Sequence, residues 1–309
     1  MRPRMRRFGK EDDFRNIKNF LREVFLANQR VEFSWQAARL DYWRWHVVKN
    51  LHLSDPVENV TFIWETEDGD VVSVLNPESR GEAFLQVHPD TRTKELEEEM
   101  LVMAEENLSM EDPEGGRELT VWAHERDELR CGLLEGFGYH QGENAEYQRR
   151  RLVDAPIPKV QVPSGYTVRA MMGDDDIPPR SLASWRAFHE DEPGEEYEGW
   201  KWYNNIQATP LYRRDLDIVA VTEDGKHAAF CTVWYDDMTN SAYFEPVGTD
   251  PKHRHKGLAK AVMYEALSRL RALGALTAHV AGTTEAANEL YASVGFDRYL
   301  VSRPWTVKL

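Results

Sequence analysis

An internal repeat constrains the fold of this chain more than any other feature of its sequence. Thr-Glu-Asp-Gly occurs at residues 66–69 and again at residues 222–225, between apolar segments in both places. Asp-Gly between two such segments predicts a tight β-hairpin. The two copies are roughly 156 residues apart, far more than the ~20–50 residues of a solenoid repeat, so the repeat indicates two duplicated domains.

The sequence pattern of each half predicts the same order of elements after the hairpin: a strand, a helix, a strand, a short helix and a closing strand. The longer helices are expected at about residues 93–107 and 256–273, where apolar residues recur at helical spacing. A proline-containing segment at residues 149–171 separates the halves, because proline fixes φ and removes a backbone donor. We therefore predict a mixed α/β fold of two tandem domains, at residues 1–155 and 156–309.

The composition is acidic and excludes several classes of function. The 309 residues include 53 acidic and 38 basic ones, a formal net charge of −15. A nucleic-acid-binding protein would carry a broad basic surface, so nucleic acid is not an expected partner. No apolar run approaches the roughly 18 residues of a membrane span, and no secretory signal is evident. Cys131 and Cys231 form neither a zinc spacing nor a CxxC pair. We therefore expect a cytoplasmic protein with free thiols, without metal or membrane partners.

A basic cluster stands out against this background in the segment HRHKGLAKAVM, at residues 253–263. Its basic residues are followed by Gly257 and Ala259 at the predicted start of an apolar helix. Cations are disfavoured at a helix N-terminus, whereas anions bind there to the first backbone N–H groups. The small residues would let a large anion approach the backbone. The segment therefore predicts a site for a phosphorylated ligand, with pyrophosphate as the expected group; a positively charged surface helix is the alternative.

Two motifs of the second half resemble those of the GNAT acetyltransferases. The segment VGTDPKHRHKGLAKAVM is similar to the family's acetyl-CoA motif, a strand, [RQ]-x-x-G-x-[GA] and a helix, with Arg254, Gly257 and Ala259 in the defining places. The segment TTEAANELYASVGF at residues 283–296 is similar to the family's C-terminal motif. Neither a Walker loop nor a G-x-G-x-x-G fingerprint occurs. The tandem arrangement resembles that of mycothiol synthase-like proteins.

The resemblance implies acetyl-CoA as cosubstrate and assigns residues to it. The strand ending at residue 249 would diverge from the next strand and hold the pantetheine arm, and the N–H groups after residue 254 would bind the pyrophosphate. Thr284 stands where the family most often has asparagine. The expected cofactor-binding residues are Val247, Gly248, Thr249, Arg254, His255, Lys256, Gly257, Leu258, Ala259, Thr284 and Asn288.

Two catalytic residues are expected. Tyr291 lies in the place of the family's phenol, which protonates the departing CoA thiolate; a core aromatic is the alternative. An alkylammonium with a pKa near ~10 must lose a proton before it attacks a thioester. Glu245 is the candidate base, because strand alternation would place it on one face with Val247 and Thr249. A backbone N–H near Val247 would polarise the thioester carbonyl.

Other polar features receive weaker interpretations. His279 is expected to be structural, as lone strand histidines usually are. His253 and His255 form H-x-H without a third ligand nearby, so a metal site is not expected. The acidic run at residues 189–200 lies among aromatic residues, a combination that suits a cationic amine, although charge runs are usually solvated surface.

The first half repeats the predicted order of strand, turn and helix, but it lacks the residues expected to bind a cofactor or to donate a proton. Arg92 lies in the slot of Arg254, but Glu95 and Glu97 occupy the places of the glycine and the alanine. Carboxylates stabilise a helix start without any ligand and would repel pyrophosphate. Leu134 replaces the tyrosine, so no phenol remains. The aromatic residues expected to wall an acceptor pocket are Trp35, Tyr42, Trp43 and Trp45.

These observations predict an acetyl-CoA-dependent N-acetyltransferase in the second half and a degenerate GNAT-like domain without a cofactor site in the first. The expected acceptor is a primary amine of a small polar molecule, and the transfer is expected to be direct because neither cysteine lies in the motifs. The alternatives are a non-catalytic CoA-binding or sensing module and a scaffold without a ligand.

Overall fold

The computed structural model describes residues 3–113, 115–159, 161–190 and 196–309. The chain divides into two compact units. Unit 1 consists of Met1–Gln148 with Leu300–Leu309, and unit 2 consists of Arg149–Tyr299. Each unit combines helices with a mixed β-sheet, which confirms the predicted α/β class.

Unit 1 is built on a sheet in which one neighbouring pair of strands, β4 and β6, is parallel. In sheet order its strands are β1 (Arg4–Arg7), β2 (Phe62–Glu65), β3 (Val71–Asn76), β4 (Glu82–Val87), β6 (Arg117–His124) and β14 (Arg298–Lys308), with β5 (Met110–Glu111) against β6 and β7 (His140–Gln141) against β14. Its helices are α1 (Glu11–Ala27), α2 (Ala37–Tyr42), α3 (Val57–Val60), α4 (Lys94–Asn107) and α5 (Glu128–Gly136). One apolar core joins the sheet to α1, α2, α4 and α5.

Unit 2 has a similar construction. In sheet order its strands are β8 (Glu146–Leu152), β13 (Thr277–Gly282), β12 (Ser241–Thr249), β11 (His227–Asp236), β10 (Asp217–Thr222) and β9 (Tyr166–Ala170). Its helices are α6 (Ile177–Phe188), α7 (Tyr203–Gln207), α8 (Leu258–Ala272) and α9 (Glu285–Ser293). Helix α8 buries an apolar face formed by Leu258, Val262, Ala266 and Leu270 in the core of this unit.

The repeated turns form hairpins, as the sequence predicts. Gly69 joins β2 to β3 and Gly225 joins β10 to β11, both with φ above 80°. Glycine adopts this left-handed conformation without the steric penalty that other residues pay. The two predicted helices are also present, with ends within two residues of the predicted ones.

The closing strands differ from the prediction that each half is closed by its own tail. Strand β14, at the end of the second half, pairs with β6 of unit 1 from Ser302↔His124 to Lys308↔Glu118. Strand β8, which follows α5 of the first half, lies beside β13 of unit 2. The two compact units differ from the predicted division at residues 155/156 in two segments: residues 149–155 belong to unit 2, and Leu300–Leu309 belongs to unit 1.

Candidate functional site

Strands β12 and β13 are paired only over their first residues. Their parallel register runs from Ser241↔Thr277 to Tyr243↔His279, although β12 continues to Thr249. Within the described residues, the edge of β12 beyond Tyr243 that faces β13 has no strand partner. Its N–H and C=O groups can therefore pair with an extended ligand that enters as an added strand.

A β-bulge interrupts β12 inside this open region. Phe244 pairs with Val233 and Val247 pairs with Cys231 on the neighbouring strand β11. Two residues of β12, Glu245 and Pro246, thus face one residue of β11, so Val247 shares a face of the sheet with Phe244. The predicted alternation that would put Glu245 on the face of Val247 is wrong, because the bulge adds a residue between them.

Gly248 follows the bulge and lies opposite Phe230 in β11. A Cβ atom on Gly248 would clash with the ring of Phe230, which is fully buried. Glycine is therefore required at this position by the packing of the protein itself, whatever the ligand.

The turn after β12 leads into α8, a helix that has no side-chain cap at its N-terminus. Gly257 has φ +77° and precedes α8 without any side-chain cap, and His255 also has a positive φ of 62°. The first intrahelical bond runs from the N–H of Ala261 to the C=O of Gly257. The N–H groups of the three preceding residues, beginning with Leu258, belong to the unpaired first turn of the helix. Gly257 is exposed, and this turn offers outward-facing donors at the positive end of α8.

The basic residues of the turn are held at its rim. Arg254 donates to Oε2 of Glu190 at 2.5 Å, and Lys256 donates from Nζ to the hydroxyl of Tyr166 at 2.9 Å. The same hydroxyl lies 2.8 Å from Nδ1 of His253. The Arg254–Glu190 pair is more than one third exposed on both sides, so water screens it and a phosphate can compete for the guanidinium. No sequence signal identified Tyr166, which is far from the motifs.

Tyr291 lies on α9 with its ring buried and only 7% of its surface exposed. Burial, together with the negative charge of Glu245, raises the pKa of its phenol above the usual value. Among the described residues the hydroxyl has no hydrogen-bond partner, although the ring packs against Gly282 at the end of β13. A phenol in this state stays protonated at neutral pH and can donate its proton to a group that enters the site.

Glu245 is half-buried at the bulge. Its backbone C=O accepts a hydrogen bond of 2.5 Å from Nε1 of Trp234, which anchors the bulge to β11. The electrostatic effect on Tyr291 indicates that its carboxylate and the phenol share one neighbourhood. The structure thus brings together the two side chains that the sequence predicts as base and acid, and their catalytic roles remain predictions.

The two predicted ligands on α9 are engaged by the protein. Thr284 caps the helix, since its Oγ1 accepts from the N–H of Ala287 at 3.3 Å; its hydroxyl proton stays available. Asn288 donates from Nδ2 to the C=O groups of Gly282 and Thr284, and its Oδ1 accepts from Arg149. Both amide protons of Asn288 are therefore used internally.

Other predicted features have these positions. His279 is 1% exposed, with Nε2 lying 3.1 Å from Oγ1 of Thr277. Burial raises the pKa of the Cys231 thiol well above its usual value.

Residues 191–195 of the acidic run lie outside the described residues. In the described part of the chain no three His, Cys, Asp or Glu side chains form a group that could hold a metal ion, and no helix is long and apolar enough to cross a membrane.

The corresponding turn of unit 1 is filled by ion pairs. Glu97, fully buried in the first turn of α4, accepts hydrogen bonds from Arg92 and, at 3.0 Å, from Arg130. Arg92 also donates to both oxygens of Asp127, at 2.7 and 2.8 Å. A cavity of about 150 Å³ remains beside these arginines. The sequence predicted Glu97 as a repelling charge but missed its partner Arg130, which lies 33 positions away.

The aromatic segment of unit 1 differs from the prediction. Trp35 is 4% exposed and Trp43 is 1% exposed, and both belong to the apolar core of this unit. Nε1 of Trp43 donates to the C=O of Glu78 at 3.0 Å. These two rings therefore support the unit from inside, whereas Tyr42 and Trp45 are half-buried.

Comparisons with known proteins agree with this geometry. Residues 180–296 match the sequence model of the Acetyltransferase (GNAT) family. A mycothiol acetyltransferase of Thermomonospora curvata is 30% identical over 186 residues, which cover 59% of this chain and 61% of that protein. A mycothiol acetyltransferase of Thermobispora bispora is 26% identical over 251 residues, which cover 76% and 79%. The chain thus spans less than two thirds of the first of these relatives.

Solved structures show the same fold at low sequence identity. A GCN5-related N-acetyltransferase from Sphaerobacter thermophilus has a TM-score of 0.67 at 17% identity, over 99% of this chain and 95% of that one. A tandem GNAT protein from the clavulanic acid biosynthesis pathway has a TM-score of 0.67 at 16% identity, over 99% and 98%. Residues 180–296 are thus similar to the GNAT acetyltransferase family, and the fold of the two units is similar to that of GNAT structures, including a tandem one.

Proposed function

We propose that the chain is an acetyl-CoA-dependent N-acetyltransferase whose site lies in unit 2 and whose acceptor is a primary amine of a small polar molecule. The observation that carries this proposal is the presence, among the described residues of unit 2, of three features: an edge of β12 without a strand partner, a start of α8 without a side-chain cap and a Tyr291 hydroxyl without a hydrogen-bond partner. In acetyl-CoA the extended arm joins the diphosphate to the thioester, so the arm would pair with β12, the diphosphate would bind the start of α8 and the thioester would lie near Tyr291.

Each part of the site has a role in this proposal. Acetyl-CoA, when bound, supplies the activated acetyl group. The N–H groups at the start of α8 bind its pyrophosphate, with Arg254 and Lys256 at the rim. Glu245 accepts a proton from the ammonium of the acceptor, directly or through water, and Tyr291 donates its phenolic proton to the departing sulfur.

The buried thiol of unit 2 supports direct transfer. Cys231 lies opposite Val247 on β11, next to the open strand edge, and is 0% exposed. Its raised pKa keeps it protonated, and a protonated thiol is a poor nucleophile. The acetyl group therefore passes from the thioester to the amine without an acyl-enzyme.

Unit 1 has no cofactor site in this proposal, because the carboxylate of Glu97 takes the position that an anion would need. The names of the relatives make the amine precursor of mycothiol the first acceptor to test, beside a panel of small amines. The expected cellular location is the cytoplasm, where acetyl-CoA is available.

Binding of CoA can be tested by thermal shift. At about 100 times its Kd, CoA adds about 2.7 kcal/mol to stability, a rise of several degrees in Tm. Gly257→Glu should abolish the rise, because a carboxylate then faces the diphosphate. Gly257→Ala is the matched control: it carries the same backbone strain at positive φ without the charge. It should retain most of the rise.

Two results would decide against the proposal. An unchanged shift in Gly257→Glu would place CoA binding elsewhere in the chain. A normal shift with no release of CoA thiol for any amine would support the alternative of a non-catalytic CoA-binding module.

A further inference from the structure

We propose that Asn288 and Arg149 are positioning residues that hold Tyr291 at the site, and that Asn288 is not a ligand of acetyl-CoA. The inference deepens the proposed function and rests on its assignment of Tyr291 as the proton donor. It reassigns a residue that the motif alone places among the cofactor ligands.

The amide of Asn288 is the centre of a hydrogen-bonded clamp. Its Nδ2 donates to the C=O of Gly282 at 3.1 Å and to the C=O of Thr284 at 2.9 Å. Its Oδ1 accepts from Nε of Arg149 at 2.6 Å. A side-chain amide has two protons to donate, and both are used here. A cofactor contact from Nδ2 would have to break one of these bonds.

The clamp acts on the segment that holds the phenol. Asn288 precedes Tyr291 by three residues on α9, so the two side chains share a face of the helix. A Cβ atom on Gly282 would lie 3.1 Å from Cε2 of Tyr291 and 3.3 Å from Oδ1 of Asn288. The end of β13 therefore contacts both side chains. The hydrogen bond from Asn288 keeps Gly282 against the ring.

Arg149 fixes the other end of the same helix. From β8 its Nη1 donates to the C=O of Phe296 at 3.1 Å, while its Nε holds Asn288. One rigid guanidinium fork thus spans α9 from its first turn to the residues after its end, and a cation is also favoured near a helix C-terminus. The guanidinium lies inside the protein, with Arg149 9% exposed.

Unit 1 has neither half of this arrangement. At the fourth residue of α5, where α9 has Asn288, stands Cys131; at the seventh, where α9 has Tyr291, stands Leu134. The thiol of Cys131 approaches the C=O of His124 at 3.5 Å, a weak contact. The amide clamp occurs together with the phenol in unit 2 and is replaced together with it in unit 1.

A double-mutant cycle tests the inference. Asn288→Ala should lower kcat by about 10–100-fold through displacement of the phenol, while the Kd for CoA, measured by calorimetry, changes less than about twofold. In a Tyr291→Phe background the same substitution should cost less than about twofold, because no proton donor remains to be misplaced. Glu289→Gln, on the exposed face of α9, is the control and should change neither quantity.

Arg149→Lys keeps the charge but removes the fork, and should give a smaller loss of kcat with the same dependence on Tyr291. It also provides a second variant should Asn288→Ala fail to fold. A rise of tenfold or more in the Kd for CoA with kcat unchanged would make Asn288 a cofactor ligand and overturn the proposal. A loss of kcat that persists in the Tyr291→Phe background would also overturn it.

A crystal structure of Asn288→Ala provides a readout without turnover. Displacement of the Tyr291 ring from Gly282 supports the clamp even if no amine is acetylated, in which case the proposed function fails alone. An unmoved ring overturns the clamp even in an active enzyme.

Discussion

The starts of α4 in unit 1 and α8 in unit 2 follow the same kind of strand and turn, but they satisfy the positive end of the helix differently. Helix α4 has Thr93 as a side-chain cap and Glu95 and Glu97 in its first turn. Helix α8 has Gly257 before it, no cap and no acidic residue in its first turn. Unit 1 thus stabilises its helix start with its own side chains, whereas the first N–H groups of α8 in unit 2 have no side-chain cap.

The difference lies in side chains and not in the architecture. Glu97 is held by Arg92 and Arg130, so the two arginines of unit 1 have an internal carboxylate as their partner. Both units keep the same order of strand, helix, strand and helix. The two helix starts therefore differ in capping and charge although the order of elements is the same.

The largest expected effect concerns the phenol that distinguishes the two units. Tyr291→Phe should reduce kcat by about 10²–10⁴-fold, the usual contribution of a general acid, with CoA binding preserved. Turnover measured by release of CoA thiol checks this expectation. Leu134→Tyr in unit 1 is the counterpart and should produce no second activity, because Glu97 still blocks the anion position. A fully active Tyr291→Phe enzyme would remove the phenol from the mechanism.

The next largest expected effect is the loss of stability when the buried carboxylate of Glu97 is removed. Glu97→Ala should destabilise the protein by about 3–5 kcal/mol, because it leaves buried arginines without their partner. Inorganic phosphate should restore part of the loss by binding Arg92 and Arg130. Denaturant unfolding with and without phosphate measures both effects. Glu95→Ala, an exposed carboxylate of the same turn, is the control; equal costs for the two variants would contradict the internal-anion interpretation.

Acidification should affect unit 2 before unit 1. Burial lowers the pKa of His227 to about 4, against 6.5 in the unfolded chain, although Nε2 lies 3.3 Å from Oδ1 of Asp176. Between these pH values the unfolded state binds more protons, so stability falls as pH falls, by at most about 1.4 kcal/mol per pH unit.

Unit 1 behaves differently in the same window. Burial raises the pKa of Glu97, but the charge of Arg130 and the hydrogen bonds from both arginines outweigh burial and lower it below 4.5. The stabilisation by Glu97 is therefore complete above pH 4.5 and is lost only as pH falls through the folded value. Hydrogen exchange at pH 7 and pH 5 should show loss of protection in β11 but not in α4. His227→Gln should remove the loss in β11; if it does not, another group causes it.

Local sequence patterns predicted much of this molecule. The hairpins at Gly69 and Gly225 and the helices α4 and α8 follow from turn chemistry and apolar periodicity, which depend on neighbouring residues. The pairing of β14 with β6 and the position of β8 beside β13 could not be predicted. A strand's own sequence does not specify which sheet edge it joins.

The candidate site shows the same limit. The motif located the turn at Gly257 and the phenol of Tyr291, since both lie in short contiguous segments. It missed Arg149, whose partner Asn288 lies 139 positions away. The bulge at Glu245 was also missed, because alternation assumes an uninterrupted ladder.

The smallest expected effect concerns the side-chain cap that α4 has and α8 lacks. Oγ1 of Thr93 accepts from the N–H of Leu96 at 3.2 Å, and Thr93→Ala should cost about 1 kcal/mol, the usual value of such a cap. Added CoA should not offset this cost, because it binds unit 2 in both proteins and adds the same increment to each. Thermal melting with and without CoA measures the two terms. If CoA offset the loss in Thr93→Ala selectively, the start of α4 would itself take the ligand, and the contrast between the two helix starts would be wrong.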